Sequence, residues 1–322
     1  MGYLVRRALH AGFLLFGVSL LVFALVAIAP GDFYSELQLD PSIRSQSIEA
    51  LRSEYGVDRP VYERYARWVG GMLGGDWGVS LAYHVPVWPL LRERARNTLL
   101  ITVSATILAW LLALLLGIWA ATSRRRMVRG FVGAASSAVL ATPELFVCLL
   151  LLVFALRTGV FPVGGMSGLE SVALGTLGRW RDAVEHMVLP VIALTITALP
   201  VLVWHVRSAV QGALVSPAIQ TARASGIARS RILLRHALPL TANPLVTLLG
   251  LSVATLLSGS LVVEVVMGWP GLGPLLLESI LARDLFVVIG IVMLSALLLV
   301  AGNFLGDTLL FALDPRTREG QR

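Results

Sequence analysis

The chain has 322 residues, of which 57% are hydrophobic and only 14% charged; that is too apolar for a soluble globule with a wetted surface, so lipid is its solvent. All 26 basic residues are arginine and the net charge is +7, but the arginines cluster at the ends of apolar runs, the placement that orients a membrane protein and not one that grips nucleic acid. The single cysteine, Cys148, lies inside an apolar run, which excludes a disulfide framework or a cysteine metal site within one chain.

A helix needs about 20 apolar residues to cross a bilayer core. Six runs qualify, at 10–30, 98–122, 131–156, 187–206, 244–262 and 285–312, and they predict an all-α membrane protein with six transmembrane helices. The first run follows Arg6 and Arg7 and carries Ala27-Ile28-Ala29, which has the look of a signal-peptide cleavage site. The run is longer than an ordinary signal core, and Pro30 would directly follow the cut, so it reads as a retained span.

The segment from Gly31 to Asn97 is long enough to carry structure of its own. Ser47 to Tyr55 predicts a short helix stopped by Gly56, and Val61, Tyr65, Trp68 and Met72 share one helical face. That stripe packs on the protein's own spans, lies on lipid or meets a substrate. In the third run, Pro143 is expected to kink the helix beside Glu144. Glu144 and Asp307 are the ionisable residues set well within spans, too few for a proton relay. Two roles are open to Glu144, a polar helix break or a part in transport. Asp307 is expected to hydrogen-bond between helices near a span end.

Between the fourth and fifth runs, Val215 to Asn243 is strongly patterned. Ser216-Pro217 supplies a cap residue and a proline at the first helical position, starting a helix that Gly226 ends. A second helix is predicted from Arg229 to Ala237, broken by Pro239, and Asn243-Pro244 repeats the cap-and-proline start for span five. By pattern alone this hairpin either lies on a membrane leaflet with its arginines toward anionic lipid or docks a partner.

An even number of spans puts both ends on one side. Arg6, Arg7, Arg124, Arg125, Arg126, Arg129, Arg207, Arg223, Arg229, Arg231, Arg235, Arg316, Arg318 and Arg322 fall on that side, with Asp314 and Glu319 as its acids. Both termini are therefore expected in the cytoplasm. A chain without lysine has no GxxxxGK[ST] loop, and no HExxH occurs. No catalytic or metal-binding residues are expected, and the chain is not expected to hydrolyse ATP by itself.

Gly226, nine residues, then His236-Ala237-Leu238-Pro239 is similar to the second half of the EAA loop of importer permeases. Thr221-Ala222-Arg223-Ala224-Ser225-Gly226 resembles the TARAKG form of the dipeptide, oligopeptide and nickel permease family, with Gln220 standing where the general motif has its acid. Further matches follow in order: Ala29-Pro30-Gly31-Asp32, Tyr55-Gly56-Val57-Asp58-Arg59-Pro60, Gly75-Asp76-Trp77-Gly78-Val79-Ser80, the run from Val263 through Glu264, Trp269, Pro270 and Gly271 to Gly273, and Asp314-Pro315-Arg316. The first span and the long loop after it resemble the first-permease type of this family.

The resemblance implies a type I ABC importer permease fold with a structured outer loop between helices 1 and 2. It divides the chain into 1–94 (first helix and extracytoplasmic loop), 95–311 (transmembrane domain, with a coupling hairpin at 216–239) and a cytoplasmic tail at 312–322. It assigns Thr221, Ala222, Arg223, Ala224, Gly226, His236, Leu238 and Pro239 to coupling with an ATPase. Either carbonyl capping or ATPase contact is open to His236. Glu264, Trp269, Pro270, Gly271 and Gly273 become an outer-face signature near a docked binding protein, with interfacial anchoring as the other reading of Trp269. No cofactor is expected on this chain, since ATP and Mg belong to partner subunits. The implied partners are a second homologous permease, two ATP-binding subunits, an extracytoplasmic solute-binding protein and membrane lipid, in a bacterial or archaeal cytoplasmic membrane. Peptides are the expected cargo and nickel chelates or another small solute the alternative; a secondary transporter or a membrane scaffold are the rivals of other classes. The arginine asymmetry predicts that a cysteine placed at Ser123 is shielded from an impermeant thiol reagent outside intact cells; labelling there would overturn the topology.

Overall fold

The computed structural model describes residues 2–28, 59–168 and 175–313 and, among these, consists of helices joined by turns and short irregular segments, with an isolated bridge between Val79 and Pro86. The chain runs through α1 (Gly2–Ile28), α2 (Val61–Leu73), α3 (Val87–Thr122), α4 (Arg126–Leu140), α5 (Glu144–Thr158) and α6 (Thr176–Leu214). It continues through α7 (Pro217–Ala224), α8 (Arg229–Ile232), a π-helical turn (Leu233–Ala237), α9 (Leu238–Val266), α10 (Leu272–Leu281) and α11 (Leu285–Leu313). The predicted helix at Ser47 to Tyr55, the motifs at Ala29 to Asp32 and Tyr55 to Asp58, the tail from Asp314 and the Asp307 side chain lie outside the described residues.

Five helical stretches, beginning at Arg6, Val87, Thr176, Arg229 and Leu285, are each long and apolar enough to cross a membrane. The third predicted span is different. It is not one helix but the pair α4 and α5, bent by 99° at the break after Leu140. Pro143 takes an extended conformation with φ −58 and ψ 143, outside the helical region, and it cannot donate the amide hydrogen a continuous helix would need there. Glu144 then begins α5 in its first turn, where a carboxylate opposes the positive end of the helix dipole.

Two further corrections concern prolines. Pro239 was expected to break the second hairpin helix and Pro244 to start span five, yet a continuous helical stretch runs from Arg229 to Val266. The π turn absorbs the change: the Leu238 amide donates to the Leu233 carbonyl, the wider i to i+5 spacing of such a turn, so that Pro239 falls in the first turn of α9, where a proline costs little. Pro244 lies inside α9, and Pro190 and Pro200 lie inside α6. The span ends also move. α3 starts at Val87 and α6 covers 39 residues, about 58 Å of helix against a core of roughly 30 Å.

Packing divides the chain into two compact units, residues 1–97 with 271–300 and residues 98–270 with 301–322. In the first, Trp68 of α2 is buried with Val22, Phe23, Ile289 and Met293, while Tyr65 and Met72 pack at the edge of the cluster. The Phe23 and Tyr65 rings meet edge-on at 5.4 Å and the Tyr65 hydroxyl lies 2.8 Å from Ser19 Oγ. Tyr65, Trp68 and Met72 of the predicted stripe thus rest on the protein's own helices, while Val61 is exposed.

The Gly75 to Ser80 motif builds a turn in this unit. Asp76 Oδ1 accepts from the Gly78 amide at 2.9 Å, and Gly78 has φ +87, a conformation that favours glycine. Trp77 lies against Trp88 with centroids 5.1 Å apart. Ser80 Oγ donates to Asp284 Oδ2 at 2.6 Å and the Ala82 amide donates to the same oxygen at 3.0 Å. Asp284 is fully buried just before α11. Nearby, Tyr83 donates to Glu278 Oε2 at 2.5 Å. Burial, and next that bond, push the Tyr83 phenol from 10.0 up to about 12. Because the folded value is the higher, the support this contact gives is whole below pH 10 and is lost as the pH rises through about 12.

In the second unit, α3 turns Ile101, Ala105, Ala109, Ala113 and Ala120 inward, all fully buried, and leaves Val103, Ile107, Leu111, Leu115 and Trp119 exposed. Both faces are apolar, so what sorts them is size. Gly117 continues the small face: a Cβ there would fall 2.7 Å from the Val206 side chain of α6. α9 meets the end of α11 as closely, since a Cβ on Gly306 would lie 2.9 Å from the Gly250 Cα. Trp110 Nε1 donates to Ser252 Oγ at 2.9 Å, tying α3 to α9.

Asp284→Ala strands the Ser80 hydroxyl and the Ala82 amide in a buried site and is expected to cost about 3 kcal/mol, whereas Asp284→Asn keeps one acceptor oxygen and costs less. Thermal unfolding of the purified variants in detergent checks this. Equal melting temperatures for Asp284→Ala and the parent would contradict the role given to the carboxylate.

Candidate functional site

The patterned segment after α6 folds as a compact hairpin whose turn follows from its sequence. Ser216 adopts an extended conformation with φ −64 and ψ 150, and Pro217 opens α7 at its first position. The expected side-chain cap is absent: Ser216 Oγ is buried without a hydrogen-bond partner. Gln220 Nε2 instead donates to the Val215 carbonyl at 3.1 Å. α7 ends in a complete Schellman motif. The Gly226 amide donates to the Arg223 carbonyl at 3.0 Å, the Ile227 amide donates to the Ala222 carbonyl at 3.3 Å, and Gly226 has φ +74.

A Cβ on Gly226 would meet nothing within 4 Å. Glycine is required here by the left-handed backbone alone, since the space beside it is open. Ile227 and Ala222 pack at the edge of a small core of Ala213, Ile219, Ile232 and Ala237, the apolar contact that accompanies this motif. This core joins the end of α6 to both arms of the hairpin. Arg229 fastens the second arm by donating to the Thr122 carbonyl at the end of α3, at 2.6 Å, which satisfies one of the carbonyls a helix end leaves open.

The predicted coupling residues separate by exposure. Thr221, Arg223, Ala224 and Gly226 are exposed around the tip, and His236 and Pro239 are exposed on the π turn and the start of α9. Ala222 and Leu238 are half-buried and pack inward. His236 does not end a helix, because the π turn carries the chain on into α9.

In the predicted outer-face signature, Glu264, Trp269, Gly271 and Gly273 are buried and Pro270 is half-buried. Trp269 is fully buried in a core with Ile101, Cys148, Leu189, Leu194 and Met267, so it is neither an exposed aromatic turn nor an interfacial anchor. Glu264 is also fully buried, and its carbonyl accepts from the Trp269 amide at 2.9 Å. Gly165 donates to the Met267 carbonyl at 3.2 Å, holding the loop after α5 against this turn. Size and aromaticity at a predicted loop suggested a surface, and the backbone bond to Glu264 is the signal that only coordinates reveal.

Glu144 is half-buried, and its carboxylate rests against the backbone of α9: a Cβ on Gly259 would fall 3.1 Å from Glu144 Oε1. The carboxyl group thus stands at the α4–α5 bend, a position compatible with both the polar break and the part in transport read from the sequence. Asp284 and Ser80 escaped sequence reasoning, although the Gly75 to Ser80 motif pointed at one half of that contact.

The family described as binding-protein-dependent transport system inner membrane component matches residues 113–319, and the model of the N-terminal part of such membrane components matches residues 1–102. The chain is 34% identical to the oligopeptide transport system permease protein AppB of Bacillus subtilis, over 98% of each chain. It is 32% identical to the dipeptide transport system permease protein DppB of Escherichia coli K12, over 94% of each, and 31% identical to the oligopeptide transport system permease protein OppB of Mycobacterium tuberculosis H37Rv, over 98% of each. Its fold matches a chain of the inward-facing MetNI methionine ABC transporter with a TM-score of 0.55 at 20% identity, covering 70% of this chain and 96% of that one.

Removing the buried indole by Trp269→Ala should cost about 3–5 kcal/mol, read as a drop in the melting temperature of the purified chain, while Trp269→Phe keeps most of the packing. A surface aromatic would be replaced without loss, and an unchanged melting temperature for Trp269→Ala would refute its place in the core.

Proposed function

Because this chain belongs to the family of binding-protein-dependent transport system inner membrane components, we propose that it is one permease subunit of an ATP-driven importer and that its cargo is peptide. The observation that carries the mechanism is the hairpin: a Schellman turn, a private apolar core and the Arg229 bond to Thr122 make it one rigid piece with the span ends. A piece of that kind passes a push from a cytosolic motor to the spans without absorbing it in a floppy loop. In this reading Thr221, Arg223, Ala224 and Gly226 meet the ATPase, His236 and Pro239 flank that contact, and Ala222 and Leu238 hold the hairpin's shape.

The names of relatives matched from end to end support peptides over nickel chelates. The remaining assignments belong to the same proposal. Both termini are cytoplasmic, ATP and Mg are handled by two separate subunits, a second homologous permease completes the pathway, and a solute-binding protein delivers cargo from outside. The chain itself carries no catalytic group and no cofactor. The division at 1–94, 95–311 and 312–322 is proposed on the same basis.

Gly226→Val forces a β-branched residue into a left-handed conformation, a strain of about 1–2 kcal/mol, and should lower ATPase co-purification and peptide uptake together while the chain still inserts. Asparagine tolerates that conformation, so Gly226→Asn should retain both. Normal uptake by Gly226→Val would remove the hairpin from the coupling mechanism. A secondary transporter would move solute with no ATPase bound, and a scaffold would bind partners without flux.

A further inference from the structure

Behind the hairpin lies a cavity of about 640 Å³ between the end of α3, the end of α6 and the two hairpin arms. Arg124, Arg223 and Arg229 line it, and no carboxylate does. The Arg229 guanidinium is anchored on the Thr122 carbonyl, and among the described residues no side chain engages the guanidinium of Arg124 or Arg223. Three arginines lining one cavity without an acid build a strongly positive concavity, and a planar fork of N–H donors matches phosphate oxygens.

Beside Thr122 and Ser230, the rest of the wall is aliphatic, from Leu214, Ile227, Ile232 and Leu233. A free inorganic anion has no use for such a surface, whereas a phosphate ester carrying glycerol and acyl carbons does. Position agrees with chemistry. Thr122 is the last residue both of α3 and of the apolar run 98–122, so the cavity opens beside a span end, where basic pockets between spans take anionic lipids.

We infer that this cavity is a binding site for a phosphate-bearing anion, supplied by the headgroup of an anionic phospholipid. Bound there, the phosphate joins the α3–α4 loop through Arg124 to the first hairpin arm through Arg223 and the second through Arg229. Lipid charge thereby sets how firmly the hairpin is held to the spans. The inference concerns the same hairpin as the proposed coupling function, but it is read by lipid binding to the chain and not by transport, so either can fail without the other.

The test uses the full chain in nanodiscs made from an equimolar mixture of phosphatidylcholine and phosphatidylglycerol, with the phosphatidylglycerol retained after detergent washing counted by native mass spectrometry. Arg124→Gln and Arg223→Gln should each reduce retention roughly fivefold, the worth of one basic residue near an anionic surface. Arg124→Lys, which keeps the charge, should retain most of it and guards against misfolding. Arg231→Gln, on the exposed hairpin but outside the cavity, should change nothing. Equal losses from Arg231→Gln would mean general charge attraction and overturn the site, as would retention unchanged in Arg124→Gln and Arg223→Gln. Displacement of the lipid by millimolar inorganic phosphate would assign the cavity to a free anion and overturn the lipid source. Because Arg223 is also placed at the ATPase contact, Arg124→Gln carries the distinction: loss of ATPase co-purification by Arg124→Gln at constant lipid retention would give this cavity to a protein partner and overturn the lipid site.

Discussion

In lipid, polarity cannot tell a helix which way to face, because the solvent is as apolar as the core. What remains is how closely two backbones approach. In this protein that constraint is met by small residues: the alanine stripe of α3, Gly117 against Val206, and Gly250 against Gly306. Large side chains are left on the outside of α3 for the opposite reason from that in a soluble protein, since burying Leu111 or Leu115 would gain nothing and would push the helices apart. The few polar contacts, such as Trp110 to Ser252, then fix register between surfaces already brought together by shape.

The same constraint explains why structure outside the spans is polar and specific. Where the chain leaves the apolar environment, backbone groups need named partners, and the protein supplies them with a buried Asp284 for the Gly75 to Ser80 turn, Arg229 for the open end of α3, and a Schellman turn for α7. Sequence motifs concentrate at these exits. In the apolar interior only size is constrained, most tightly at Gly117 and Gly306, while a turn at φ +74 or a carboxylate with two donors depends on one residue type.

The location of spans, the start of α7 at Pro217 and the glycine stop at 226 were legible in the sequence because each depends on local chemistry: hydropathy over about 20 residues, a fixed proline φ, a missing Cβ. Pro239 and Pro244 misled because a proline removes one donor but does not dictate who replaces it; here a π turn shifts the register and the helix runs on. Pro143, by contrast, sits in an extended conformation between α4 and α5, and the pair bends by 99°. Local sequence does not separate these cases, since the difference lies in what packs around each proline. Trp269 escaped for a related reason: nothing within ten residues of it announces that Ile101 and Leu189 wait to bury it.

The length of α6 carries one last consequence. Its 39 residues form about 58 Å of helix that ends one residue short of the Ser216-Pro217 corner. Over that distance a tilt of one degree sweeps the far end through about 1 Å. The amides of Pro190 and Pro200 are missing from its hydrogen-bond ladder, so the rod is most compliant within its buried middle and stiffest toward its two ends. Small angular errors at the hairpin are therefore magnified at the opposite end unless the middle yields, and the two prolines sit where such yielding spares both termini.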